Sequence, residues 1–211
     1  MTDVEEKTEF TFDELSEKAK DKARSDYTSG EYLHEDWWEH IYYDAVNMGQ
    51  MLGIEIGATT HVSTKGRNYT TTNIWFSGFG SQGDGACFDG TYRYAPDAAK
   101  HIDQETTDEE LLRIAKELTL MHVTQRLQGL EYFTAAIHAE RNNSIRTEIR
   151  DWGVDEVGEP DEEKFRRLMQ DFADWIYKQL ETENDYLYSD EYVDEQMSEK
   201  DCMFDESGVI I

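Results

Sequence analysis

The hydrophobic period of this chain changes at Gly53, and that change separates what can be helix from what can be sheet. Upstream, Leu15, Ala19 and Ala23 recur at spacing four, while Trp38, Ile41, Ala45, Met48 and Leu52 alternate steps of three and four. Each set lies on one helical face, so residues 12–52 are expected to be helical. One helix should open near Asp13 and a second run from Tyr32 to Leu52, with Gly53 as its stop. Downstream, Ile54–Ile56 and His61–Ser63 read as short strands. Thr70–Phe79 and Ala86–Tyr94 read as longer ones, rich in β-branched and aromatic residues. The turn Gly80-Ser81-Gln82-Gly83-Asp84-Gly85 between them predicts a hairpin over 70–94.

Beyond Pro96 the helical period returns. Thr107, with Glu110 three residues on, matches a capping box, and Leu111, Ile114, Leu118, Met121 and Gln125 follow at helical spacing, predicting a helix over 107–128. A second hairpin is expected over 130–152 around Arg141-Asn142-Asn143. In its second strand Arg146, Glu148 and Arg150 alternate with Ile145, Thr147 and Ile149, which gives one wet face. Phe165, Leu168, Phe172, Ile176 and Leu180 share the face of a long helix, and Ser189 is placed to cap a last one through Val193 and Met197. Residues 161–198 are therefore expected to be helical, and the tail 202–211 to be either a final strand or frayed. This order implies an α+β fold: a single domain over 1–211, with an antiparallel sheet of about four to six strands and helices mainly on one face. An apolar share of 38%, with five Trp, twelve Tyr and nine Phe, supports a packed core despite the charge.

The charge itself is unevenly placed. The chain carries 47 acids against 20 bases, a net −27; residues 1–44 hold −9 and residues 181–211 hold −10, while 45–100 balance at four against four. Such a field repels nucleic acid and anionic membrane and attracts basic surfaces. No apolar run reaches the length of a membrane span, and Met1–Phe10 is acidic, unlike a secretory signal. A cytoplasmic protein is expected, with Cys87 and Cys202 as reduced thiols.

Four stretches carry a resemblance: Phe10–Lys20, the Asp-Trp-Trp-Glu of Asp36–Glu39, Ile74–Ala86 with its Ser-Gln-Gly-Asp-Gly turn, and Trp175-Ile176-Tyr177. Over residues 9–205 the chain resembles a family of phage and prophage proteins that mostly lack an assigned function, some of them labelled as components of a toxin–antitoxin stability system. The resemblance implies a mobile-element origin and a bacterial host cell. It brings no catalytic residues, and by analogy it suggests an acidic accessory protein that inhibits a host defence or toxin protein.

Carboxylates on rigid helices can imitate the phosphates of DNA and occupy a basic groove. The residues placed for this are Glu181, Glu183, Asp185, Asp190, Glu191, Asp194 and Glu195, with Glu31, Glu35, Asp36 and Glu39 extending the strip, against the plainer account of a solvated surface. Trp37 and Tyr43 exceed what one buried helix face needs and would serve as interface anchors, though core packing also accounts for them. The expected partner is a basic, nucleic-acid-binding host protein, with no direct binding to nucleic acid. Gln82, Asp84 and Asp89 around the Gly-rich hairpin offer an alternative, a loop for a small molecule or metal, against simple turn chemistry. Self-association, or an antitoxin-like regulatory role, is a further alternative. His34 and His40 stand six apart, where a zinc protease helix needs four, and neither Cys87 nor any His has a catalytic signature around it. No enzyme activity, metal or cofactor is expected.

Overall fold

In the computed structural model, which describes residues 9–29, 36–127, 133–150 and 161–211, the strand-forming run from Ile54 to Arg93 is broken three times. β1 (Ile54–Ile56) and β2 (Ala58–Val62) meet at Gly57. β3 (Asn68–Thr72) and β4 (Ile74–Ser77) meet at Asn73, and β5 (Gly85–Phe88) and β6 (Gly90–Arg93) at Asp89. These three junction residues close a ring of backbone hydrogen bonds: Gly57 N–H donates to Asp89 at 2.8 Å, Asp89 to Asn73 at 3.0 Å, and Asn73 to Gly57 at 2.8 Å. Three antiparallel ribbons leave the ring, β1 with β6, β2 with β3 and β4 with β5. The crossing is tight. A Cβ on Gly57 would stand 3.1 Å from the Asn73 amide nitrogen, and one on Gly90 2.5 Å from the Glu55 carbonyl. The long strands expected over 70–79 and 86–94 therefore each become two, because each half pairs with a different neighbour.

The β1–β6 ribbon grows into a four-stranded antiparallel sheet, in the order β1-β6-β7-β8, by adding β7 (Thr134–Ala139) and β8 (Ile145–Arg150). This is the second hairpin, with Asn142 and Asn143 at φ of 61° and 55° in its turn, a region that Asn tolerates. Ile145 and Thr147 are buried while Arg146, Glu148 and Arg150 are exposed, so the wet face lies where the alternation puts it. The α+β class and the antiparallel sheet stand as expected.

α2 (Glu39–Leu52), α3 (Ala98–Glu105), α4 (Glu109–Leu127) and α5 (Glu162–Leu187) complete this part of the molecule. α2 begins at Glu39 rather than Tyr32, after a turn over residues 36–38. The cap of α4 is Asp108 rather than Thr107: Asp108 Oδ1 accepts the N–H groups of Glu110 and Leu111 at 2.9 and 3.0 Å. The apolar face of α5 supplies Phe165, 4.9 Å from Tyr92 and 5.2 Å from Phe133, and Phe172, 5.6 Å from Phe88. Each such ring, fully buried, contributes roughly 1.5–3 kcal/mol.

The chain divides into two compact units, residues 39–180 and a terminal unit of Met1–Trp38 with Glu181–Ile211. In the terminal unit a 3₁₀ turn (Phe12–Glu14) precedes α1 (Glu17–Ser29), so the first helix starts four residues beyond Asp13. Ser16 Oγ accepts the Ala19 N–H at 3.3 Å in its first turn. α6 (Asp190–Glu199) is capped by Ser189, whose Oγ accepts the Tyr192 N–H at 3.2 Å. Phe12, Leu15, Ala19, Ala23 and Tyr27 from the N-terminal side bury against Val193, Met197 and Phe204 from the C-terminal side. The tail is a strand fragment: Phe204 exchanges backbone hydrogen bonds with Phe10 at 2.8 and 2.9 Å and also bridges Ile210. Among the described residues no helix is long and apolar enough to cross a membrane.

Candidate functional site

The apolar stripes of α1 and α6 close on each other, and this leaves their acids on the outside. By sequence the terminal unit holds 23 acids and six bases, a net −17 in 69 residues, against 24 and 14, a net −10, in the 142 residues of the larger unit. Glu191, Glu195 and Glu199 are exposed at four-residue steps along α6, about 6 Å apart along the helix axis. Glu181 and Asp185 form a second exposed pair at the same step on the end of α5. Like charges four apart oppose helix formation, and acids near a helix C-terminus oppose the dipole. Asp185 stands in the last turn of α5 and Glu199 in that of α6, and neither α1, α5 nor α6 has a basic residue in its last turn. Each misplaced acid costs about 0.3–1 kcal/mol, so this placement is not explained by helix stability.

The internal bases are directed at a subset of the acids. Arg24 donates from Nε and Nη2 to the two oxygens of Asp194, both at 2.7 Å, with Asp21 at 3.3 Å and Asp190 at 3.9 Å. Its guanidinium also lies 5.6 Å from the Phe12 ring centre. The hydrogen bonds to Asp194 push the Arg24 pKa up. Lys200 donates to the Tyr27 hydroxyl at 2.7 Å, and Lys22 pairs with Asp26 at 2.6 Å. Asp194 therefore clamps α6 to α1, while Asp190, Glu191 and Glu195 remain exposed around it. Glu183 is half-buried on the end of α5.

The N-terminal extension of the strip is distributed differently. Asp36 is exposed in the turn before α2, and Trp37 is half-buried, edge-on to Trp38 at 5.9 Å. Glu39 and Tyr43, the latter 68% exposed, lie on α2 and belong to the larger unit. Glu31 and Glu35 lie outside the described residues.

The Gly-rich hairpin is tied down by hydrogen bonds of its own. Asp84 Oδ2 accepts the Ser81 N–H at 2.6 Å, closing the turn, and Asp89 Oδ1 accepts the Ala139 N–H at 2.7 Å, tying the junction ring to β7. Gln82 is exposed at the tip. Asn143 donates to Ser77 Oγ at 2.7 Å and to the Gly83 carbonyl at 3.0 Å, while Tyr177 donates to the Gly78 carbonyl at 3.1 Å and stacks on Phe79 at 5.5 Å. Burial pushes the Cys87 thiol up, which leaves it a poor nucleophile. Among the described residues no group of three metal-ligating side chains converges.

Sequence reasoning missed an ion-pair network between α4 and α5. Arg113 bonds Glu110, Glu117 and Asp171, and its hydrogen bonds hold Glu110 and Glu117 below the usual carboxylate range. Beside it is a groove of about 600 Å³ lined by Asp108, Glu110, Arg113, Asp171, Trp175 and Lys178, with the Trp175 indole donating to Asp108 at 2.9 Å. The only available signal was helical spacing of opposite charges, which is common on solvated helices.

A family model described as "Domain of unknown function (DUF8835)" matches residues 37–190. Those bounds begin two residues before the larger unit and end at the start of α6. No curated protein and no solved structure matches the chain.

Proposed function

The chain belongs to the DUF8835 family, and we propose that it is a binding protein whose acidic terminal unit occupies a basic surface on a partner. The partner is a nucleic-acid-binding host protein of the defence or toxin type, blocked because carboxylates take the place of phosphates; the chain itself leaves nucleic acid alone. One observation carries this reading. The two acidic ends, far apart in sequence, share a core and concentrate −17 on one unit. The helix-destabilising placement of Asp185 and Glu199 supports it, since charge kept for solubility alone could sit at helix N-termini at no cost. The mobile-element resemblance of the sequence points to the same kind of partner.

The test compares the wild-type chain with a variant carrying Glu181→Gln, Asp185→Asn, Glu191→Gln, Glu195→Gln and Glu199→Gln, each immobilised and exposed to bacterial lysate. The wild type should retain a nucleic-acid-binding protein at physiological salt, release it to added duplex DNA, and lose it near 1 M salt, where the screening length is about 3 Å. The variant should retain none. Equal capture by both chains, or retention unchanged at high salt, would sink the reading.

A further inference from the structure

Residues 56–83 contain no acid, a stretch of 28 in a chain where the next longest, 118–130, is 13. Within it lies the β2–β3 ribbon, with Lys65 and Arg67 at its tip. The ribbon is open on both faces: Val62 is 70% and Tyr69 52% exposed. A two-stranded ribbon without further cover is marginally stable in water.

Among the described residues its two outer edges are unpaired, and the ladder defines that of β2 atom by atom. Asn73 N–H bonds Gly57 O and Ser63 N–H bonds Arg67 O, which fixes the phase of the alternation. Odd-numbered residues of β2 turn their backbone groups toward β3, and Ala58, Thr60 and Val62 turn theirs outward. Among the described residues no strand pairs with that edge.

We propose that the β2 edge pairs antiparallel with the same edge of a second copy of this chain, about a two-fold axis at Thr60. In this register Thr60 exchanges two hydrogen bonds with the partner's Thr60, and Ala58 and Val62 exchange theirs with the partner's Val62 and the partner's Ala58. Every outward N–H and C=O of the edge is then satisfied, and the exposed Val62 gains an apolar neighbour. Charge selects the occupant. Two bodies at −27 each meet with least repulsion where neither carries a carboxylate, and this ribbon is the longest such place in the sequence. The result is a closed, isologous dimer with a four-stranded ribbon at its centre.

The experiment is light scattering on the full chain over rising concentration, at low and high sodium chloride. The wild type should reach twice the 24.6 kDa of one chain, and added salt should strengthen the association by screening the mutual repulsion. That salt dependence is opposite to the one expected for the acidic unit and its partner, so the two readings fail independently. Thr60→Pro removes the outward N–H together with the exposed 3.4 Å hydroxyl contact to Thr70, and Val62→Lys places a charge on the edge. Both should be monomeric, with the circular dichroism and melting temperature of a wild-type monomer. A chain that stays monomeric at every concentration overturns the proposal, whether or not its Lys65–Arg67 tip retains a labelled DNA duplex. A doubled mass that survives in both variants, or that weakens with salt, overturns it equally.

Discussion

His122 is held on α4 with no exposed surface, its ring 4.4 Å from Tyr94, 4.6 Å from Phe133 and 5.7 Å from Tyr92. Its Nε2 lies 2.9 Å from the Tyr92 hydroxyl, which burial keeps protonated. The same burial lowers the His122 pKa from 6.5 to about 4. Between those two values the unfolded chain binds more protons than the native one. Stability from this residue is thus complete above pH 6.5 and lost as the pH falls toward 4, by at most about 3 kcal/mol. Phe at position 122 fits the aromatic surround and cannot titrate. His122→Phe should be less stable than wild type at pH 7 by roughly 1–3 kcal/mol, the cost of leaving the Tyr92 hydroxyl without this partner. The deficit should shrink or reverse by pH 4, as read from denaturant unfolding at both values. Parallel pH profiles for the two chains would show that His122 protonates without cost. Nothing in the sequence marked this residue among six histidines, because its environment is assembled by Tyr92 and Tyr94 from one side of the chain and Phe133 from beyond the end of its own helix.

At the scale of elements, α6 shows what a sequence displays and what it conceals. Its cap, Ser189, and its inward face, Val193 and Met197, are readable from local spacing, and so is the face of α5 from Phe165 to Leu180, because helix periodicity is a short-range property. The breaks at Gly57, Asn73 and Asp89 are not readable. Strand propensity runs straight through the last two, and the ring joining them is made of backbone bonds between residues up to 32 apart. The cap of α4 slips by one residue, from Thr107 to Asp108, since both side chains suit the position. What local reading does give for α6 is a conflict: Glu191, Glu195 and Glu199 repel one another and, toward the C-terminus, the dipole. Glu191 stands in the first turn, where the dipole favours an acid, so the gain belongs to the other two: replacing Glu195 and Glu199 by Gln should stabilise the terminal unit by about 0.5–1 kcal/mol at low salt. The same change should remove partner binding. Thermal unfolding checks the first outcome, and a variant that loses stability would mean these acids hold structure in place rather than face a partner.

For the molecule as a whole, the sequence shows two acidic ends and gives no hint that they meet, since charge alone would drive them apart. Apolar burial decides the matter: eight buried side chains from Phe12 to Phe204, together with the Arg24–Asp194 clamp, outweigh the repulsion of 23 acids against six bases. The balance must be closer in the terminal unit than in the larger one, whose −10 is spread over 142 residues rather than −17 over 69. Screening should therefore act unequally on the two. Raising sodium chloride from 0.1 M to 1 M shortens the Debye length from about 10 Å to about 3 Å. This removes most repulsion between exposed carboxylates, while the bidentate clamp and the apolar core keep nearly all of their contribution. Amide hydrogen exchange then separates the units: protection of α1 and α6 should rise with salt by a larger factor than protection of α4. An equal gain in both would mean that the salt acts through general hydration. A loss of protection in α1 and α6 would mean that Arg24 and the lysines hold the unit together by exposed ion pairs, and that its acids are already neutralised from within.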